Sequence, residues 1–263
     1  MKLSIIGAGN MGGAIALGLG SGKAVKDSDI YCADISPDTL DKIKKVNANI
    51  NTTTNSIEAV KDADIVIVAV KPWLIETVIN EIKDVLDYKH QIFISIVAGV
   101  NFDKLCTFLK KEDGSLPTIF RIIPNTAIAV KESVNFVSAY NAANEQIDAI
   151  KSIFDELGLT IIIEERLMSA GTALASCGIA YAFRYIRAAV EGAVEIGLYP
   201  EPAKKIELQT LKGAIALLEA NDSHPEVEID KVTTPGGITI KGLNAMEEAG
   251  FTNAVIKGLK AST

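Results

Sequence analysis

A β-rich run, KLSII, passes without a break into GAGNMGGA, so Gly7, Gly9 and Gly12 fall at G-x-G-x-x-G spacing. This junction constrains the fold more than any other stretch. Gly7 permits a tight turn, Gly9 removes a side chain from the crest of that turn, and Gly12 lets the following helix lie close to the strand. The helix-compatible run NMGGAIALGL follows at once. A strand, a bare turn and a helix start in this order form the first unit of a doubly wound sheet. They also offer free N–H groups and a positive dipole end to a pyrophosphate. Ile6, Gly7, Ala8, Gly9, Asn10, Met11 and Gly12 are therefore the first candidate cofactor-binding residues.

The pattern continues as the junction demands. β-rich runs lie at Leu3–Ile6, Ile30–Ala33, Ile65–Val70, Ile92–Ile96, Thr118–Ile122, Asn135–Ala139 and Thr160–Ile163. Between them, apolar residues recur at helical spacing: Leu40, Ile43 and Val46; Leu74, Val78, Ile79 and Ile82; Ile147, Ile150, Phe154 and Leu157. Uninterrupted apolar runs such as IVIVAV fit strands buried on both faces and paired in parallel. After EERLMSAG the strand signal stops. Helical stretches cover roughly 171–197, 201–220, 236–249 and 252–260, with breaks at Pro200 and at NDSHPE. We expect an α/β chain: an N-terminal Rossmann-like doubly wound sheet over 1–163, then an all-α C-terminal dimerisation domain over 164–263.

Other classes are disfavoured. A net charge of −7 argues against nucleic acid and anionic membranes as partners. The apolar runs are shorter than the roughly 20 residues a bilayer requires. No basic, then apolar, then small-residue leader precedes the first motif, so a cytoplasmic location is expected. Cys32, Cys106 and Cys177 form no C-x-x-C pair, and His90 and His224 lack ligand spacing, so no metal site is expected.

Further candidates sit where strands end, which is where doubly wound sheets bind ligands. IYCAD ends at Asp34, at the distance where an acidic residue meets the adenosine ribose. Its charge would repel a 2′-phosphate, and no arginine follows closely to grip one. The cofactor reading is NAD(P)H, leaning to NADH. Ser36 before Pro37 is a helix cap in its own right, so Asp34 is not needed for capping. VAVKPW supplies Ala69, Val70, Lys71 and Pro72. Lys71 either reaches the cofactor ribose or phosphate or is a solvated lysine. SIVAGV supplies Ala98 and Gly99, small enough for a nicotinamide ring to approach the backbone, and RIIPNT ends the next strand.

In the helical half, Gly171, Ala175, Gly178, Ala182, Tyr185, Ala189 and Gly192 follow alternating steps of four and three. This stripe of small residues reads either as an internal seam or as a subunit contact. A helical domain of this size favours burying its apolar surface by dimerising.

Taken in order, IGAGNMG, VKP, SIVAGV, PNT, TALASCGIAY, GLYPEPA and TTPGGITIKGLNAMEEAGF resemble the pyrroline-5-carboxylate reductase family over nearly the whole chain. The last stretch is the most specific. The resemblance implies NAD(P)H-dependent reduction of 1-pyrroline-5-carboxylate to L-proline, as a homodimer or a multimer of dimers whose active site is shared between subunits. It places Asn55 near the adenosine ribose and makes Thr239 the residue that contacts the imine nitrogen. The residues of the segment suit a small anion: Pro235, Gly236 and Gly237 are expected to set bare backbone amides at a helix start, and Thr234 to add a hydroxyl. Cys177 and Ile179 stand where the family commonly has serine and proline, in a loop that approaches the nicotinamide. Two alternatives remain: a reductase of another cyclic imine, or a non-catalytic dinucleotide-binding sensor. β-Hydroxyacid dehydrogenases use a lysine on the first long helix of the second domain, and 171–197 contains none.

Overall fold

The computed structural model describes residues 1–263. Two compact units divide the chain, Met1–Ser176 and Cys177–Thr263.

The first unit is built on one eight-stranded sheet in the order β3-β2-β1-β4-β5-β6-β7-β8. The strands are β1 (Leu3–Ile6), β2 (Ile30–Ala33), β3 (Asn51–Thr53), β4 (Ile65–Val68), β5 (Ile92–Ser95), β6 (Thr118–Ile123), β7 (Ser133–Tyr140) and β8 (Gly158–Ile162). Helices α1 (Asn10–Gly20), α2 (Pro37–Val46), α3 (Ser56–Val60), α4 (Ile75–Ile82), α5 (Phe102–Leu109) and α6 (Asn144–Asp155) connect them. The central strands are buried on both faces, as their apolar runs demand, whereas Leu159, Ile161 and Ile162 of β8 are exposed. One face packs Ile5, Ile67 and Phe120 with Ile15 and Leu19 of α1 and Phe154 of α6. The other packs Ile6, Val66, Val68 and Phe93 with Ile75, Ile79 and Ile82 of α4 and Leu105 of α5. Neighbours along each strand belong to opposite clusters, which is the period-two signature of a two-sided core.

The sheet is not parallel throughout. β7 runs antiparallel to β6, and β8 is parallel to β7. The link from Pro124 to Glu132 holds only a short 3₁₀ turn, Thr126–Val130. That is less chain than a parallel crossover needs.

Residues 165–176 stay with the sheet. Met168 is buried with Ile123 and Phe136. Gly171 approaches the Phe136 ring so closely that a Cβ there would come within 2.9 Å of it. The compact units thus divide beyond Glu164, where the sequence pattern changes. Helix α7 (Met168–Gly171) runs through a π-helical turn, Thr172–Cys177, into α8 (Gly178–Glu195).

The second unit contains α8, α9 (Pro200–Asn221), α10 (Pro225–Lys231), α11 (Ile238–Glu248) and α12 (Phe251–Lys260). Within it α8 packs along α9 and α11 against α12. Ala203 is its one buried hydrophobic residue. Phe183, Ile196, Tyr199, Ile215 and Leu217 are exposed. No helix of the chain is long and apolar enough to cross a membrane.

Candidate functional site

The order of the sheet reverses direction between β1 and β4, and the glycine turn lies at that switch point. Gly7 has φ +91°, a left-handed conformation that favours glycine. A Cβ on it would stand 2.7 Å from the Ala69 carbonyl oxygen. The turn is tied down on both sides: the Gly7 N–H donates to the Ala33 carbonyl at 2.8 Å, and the Ala69 N–H donates to Ile6 at 2.8 Å. A Cβ on Gly12 would overlap the Gly7 carbonyl oxygen, so the helix leaves no room for one. Gly9 differs. A Cβ there would meet nothing within 4 Å, so its bareness serves no contact inside the chain. Gly9 is the N-cap of α1 and makes no side-chain cap, which leaves the first-turn amides of Asn10, Met11 and Gly12 without intrahelical partners. These residues fit a pyrophosphate at a helix N-terminus.

Asp34 follows β2 and holds two backbone amides. One carboxylate oxygen accepts the Ala8 N–H at 2.8 Å, the other the Ser36 N–H at 2.9 Å. It therefore pins the glycine turn to the end of β2, a role the spacing does not reveal. Ser36 caps α2 by accepting from Thr39 at 3.4 Å. Beside it, the Asp34 N–H donates to Thr53 at the end of β3. Asn55 caps α3 through Oδ1, which accepts the N–H groups of Ile57 and Glu58, so its amide nitrogen is not used in the cap. Asp34 and Asn55 thus follow neighbouring strand ends.

Ala69 and Val70 continue β4 into Lys71, which is exposed and precedes the 3₁₀ turn Pro72–Leu74. Trp73 is 75% exposed. Ala98 and Gly99 follow β5 on an exposed turn, with Gly99 at φ +77°. After β6, Asn125 is braced three ways. Its N–H donates to Ser133 Oγ at 3.0 Å, its Oδ1 accepts from Ala127, and its Nδ2 donates to the Ala175 carbonyl at 3.4 Å. Ser176 Oγ donates to the Pro124 carbonyl at 3.0 Å. The π-helical turn is thus stitched to the end of β6. π turns inside helices recur at functional sites.

In the second unit, Thr234 to Gly237 form a turn at the head of α11. Gly236 has φ +72°, and the Gly237 N–H donates to the Thr234 carbonyl at 2.9 Å. A Cβ on Gly237 would lie 2.6 Å from Thr234 Oγ1. The donor set therefore differs from the one expected. Pro235 has no N–H and that of Gly237 closes the turn. The available amides are those of Gly236 and of the first turn of α11, from Ile238 to Ile240. Thr239 lies on that first turn and is exposed. The turn is carried by α10, which the sequence reading left as a break. Thr233 Oγ1 donates to the Ile229 carbonyl. Glu228 Oε1 gathers Lys231 Nζ at 2.7 Å, Ser223 Oγ and Asn221 Nδ2. Lys231 first, then Ser223, hold the Glu228 carboxyl down at about 2.

Two of the thiols are held in the protonated form by their environment. Burial, then the Asp34 charge, pushes Cys32 up to about 12, and burial also raises Cys106. No group of three or more His, Cys, Asp or Glu side chains is placed to hold a metal ion. Sequence reasoning missed one charged cluster. Arg121 Nη1 meets Glu165 Oε1 at 2.6 Å, with the arginine side chain only 7% exposed. Its signal was a lone arginine inside the apolar strand TIFRII.

With this geometry established, the comparisons with known proteins are specific. Residues 165–263 match the family described as pyrroline-5-carboxylate reductase dimerisation, and residues 2–99 match one described as coenzyme F420-dependent NADP oxidoreductase. Pyrroline-5-carboxylate reductase 1 of Dictyostelium discoideum is 38% identical over 99% of this chain, which spans 48% of that longer protein. Pyrroline-5-carboxylate reductase 2 of the same organism is 35% identical, over 99% of this chain and 90% of its own length. Among solved structures, the Plasmodium falciparum pyrroline carboxylate reductase with NADP bound superposes with a TM-score of 0.89 at 29% identity, covering 100% of this chain and 95% of that one.

Proposed function

The chain belongs to the pyrroline-5-carboxylate reductase family, and on that premise we propose that it reduces 1-pyrroline-5-carboxylate to L-proline with NAD(P)H, NADH being preferred. The bound dinucleotide supplies a hydride from nicotinamide C4 to the C=N carbon of the imine. Every other part of the task falls to the chain. The amides of Asn10, Met11 and Gly12 would hold the pyrophosphate, and Ile6, Gly7 and Ala8 form the turn that presents them. Asp34 and Asn55 take the adenosine ribose, and the Asp34 charge repels a 2′-phosphate. Ala69, Val70, Lys71 and Pro72 line the floor. Ala98 and Gly99 leave the ring room against the backbone.

The substrate carboxylate is held by the turn at Thr234, Pro235, Gly236 and Gly237 and the first-turn amides of α11. Thr239 Oγ1 hydrogen-bonds the ring nitrogen. A cyclic imine nitrogen takes a proton near neutral pH, and the C=N carbon then accepts hydride readily as the π electrons pass to nitrogen. The site therefore needs orientation and charge complementarity more than a strong acid. Thr239 acts as a hydrogen-bond partner, since a hydroxyl is a weak acid on its own.

The observation that carries the reading is the Thr234–Gly237 turn. Its left-handed Gly236 and its closed Gly237 amide aim a row of free amides outward from a stretch that suits a small anion. The exposed apolar side chains of the second unit support an assembly of at least two chains. Three unpaired cysteines are in keeping with a cytoplasmic location.

The test is direct. Pyrroline-5-carboxylate is added with NADH or NADPH and nicotinamide absorbance is followed. Oxidation of NADH at a higher kcat/KM than NADPH is expected. Tight cofactor binding without oxidation points to a sensor and removes the catalytic reading. Thr239→Ala is expected to lower kcat/KM by about one order of magnitude.

A further inference from the structure

The loop between β5 and α5 carries Ala98 and Gly99, both exposed, and a Cβ on Gly99 would meet nothing within 4 Å. Its conformation is set at its ends. Ser95 Oγ accepts the Val97 N–H at 3.3 Å, and Asn101 Oδ1 caps α5 by accepting from Lys104 at 3.1 Å. The next donor, the Phe102 N–H, lies in the first turn of α5, where an anion is favoured. It donates to Glu165 Oε1 at 2.6 Å. The same oxygen receives Arg121 Nη1 at 2.6 Å.

Three elements meet at that oxygen: the start of α5, the middle of β6, and the chain just after β8. Arg121 is buried, on the sheet face opposite to its strand neighbours Phe120 and Ile122. A buried guanidinium needs a partner, so Glu165 is held in place by a group that cannot turn to water. The guanidinium carbon also lies 5.9 Å from the centre of the Phe102 ring, which in turn stands 5.7 Å from that of Tyr140 at the end of β7.

We propose that Glu165 is a positioning residue for hydride transfer: braced by Arg121, its carboxylate grips the Phe102 amide and so fixes the backbone of Ala98 and Gly99. The proposal rests on the reading that these two residues face the nicotinamide. A purely structural ion pair has the same geometry and a different response to substitution. Stability depends on the charge of Glu165, which neutralises a buried arginine. Positioning depends on its acceptor oxygen, which a glutamine retains.

The test uses the full chain. Glu165→Gln and Glu165→Ala are both expected to lower Tm. Glu165→Gln keeps kcat within about threefold, whereas Glu165→Ala lowers it by about tenfold or more with KM for pyrroline-5-carboxylate unchanged, as misplaced reactants demand. Without cofactor or substrate, amide hydrogen exchange over residues 98–105 rises about tenfold in Glu165→Ala and stays at the wild-type level in Glu165→Gln.

If Glu165→Ala does not fold, a second pair decides. Phe102→Pro deletes the N–H at a position where proline is tolerated, and Phe102→Leu keeps it. The first is expected to speed exchange at 98–101, and the second is not. Unchanged exchange in Glu165→Ala or in Phe102→Pro overturns the proposal. So does a loss of kcat in Glu165→Gln equal to that in Glu165→Ala. A wild-type protein inert toward pyrroline-5-carboxylate would remove the functional reading instead, and the exchange experiment would still decide the clamp.

Discussion

The sheet unit and the helical unit are made of similar residues and handle them in opposite ways. The first encloses Phe93, Phe120 and Phe154 completely and packs an apolar cluster on each face of its central strands. The second has long, well-formed helices and one buried hydrophobic residue, Ala203. Helical propensity does not explain the persistence of such a unit, because most helical stability in proteins comes from packing an apolar face. A unit that leaves Phe183, Ile196 and Ile215 at its surface keeps apolar faces uncovered in the single chain, and it is the part that matches the family described as pyrroline-5-carboxylate reductase dimerisation. The contrast is between a sheet unit with a core of its own and a helical unit, carrying the Thr234–Gly237 turn, with almost none.

The strongest way to break this comparison is to injure each unit in turn. Phe154→Ala removes a fully buried ring from the sheet unit and is expected to cost about 3–5 kcal/mol, independent of protein concentration. Its Tm is read over a hundredfold dilution. Phe183→Asp in the helical unit changes a side chain that is 61% exposed in the single chain and is expected to be silent if the unit stands alone. We expect instead a shift to smaller species by light scattering and a Tm that falls with dilution. A monomeric wild-type protein with concentration-independent melting would dissolve the contrast.

The same contrast governs what could be read in the residues themselves. β1 and β2 run over the residues their composition marks, because each is a mostly buried apolar run with a strand paired on both sides. β3 was invisible: Asn51, Thr52 and Thr53 are polar, and the strand exists through its pairing with β2. α10 was read as a break because Pro225 punctuates NDSHPE, yet Pro225 occupies the first turn of that helix, where its missing N–H costs nothing. In the candidate site, the glycine spacing was legible because it marks one strand–turn–helix junction, where Gly12 answers a steric demand from Gly7 five residues earlier. The double grip of Asp34 and the Arg121–Glu165 pair were not, since both join positions far apart in the chain. Which amides stay free at the head of α11 was not legible either, because it depends on the closing of the Thr234 turn.

A smaller effect sharpens the cofactor side. Asp34→Ser removes the charge that opposes a 2′-phosphate, and it also releases the Ala8 amide from its acceptor. The two consequences pull apart. The ratio of kcat/KM for NADPH to that for NADH is expected to rise about tenfold. The NADH value itself should fall by a similar factor, because a charge-assisted hydrogen bond that shapes the turn is lost. A gain in NADPH use with no loss of NADH use would show that Asp34 touches the ribose alone and that the turn holds its shape without it.

The smallest effect lies in the helical unit and follows from acid. Without a core of its own, the α9–α10 corner depends on the polar cluster around Glu228, where Lys231, Ser223 and Asn221 converge on one oxygen. The carboxyl is depressed from 4.5 to about 2, chiefly by Lys231 and then by Ser223. Folding therefore favours the ionised form. The stabilisation is complete above 4.5 and declines as pH falls toward 2, where the carboxyl is protonated in the folded chain as well. Hydrogen exchange across residues 221–231 should quicken over that window, while the amides of β1 and β4 keep their protection. Glu228→Gln should remove the pH dependence and leave exchange uniformly faster. If sheet and corner loosened together on acidification, the corner would be sharing the stability of a common core, and the distinction between a unit with its own core and one without would fail at its most exposed point.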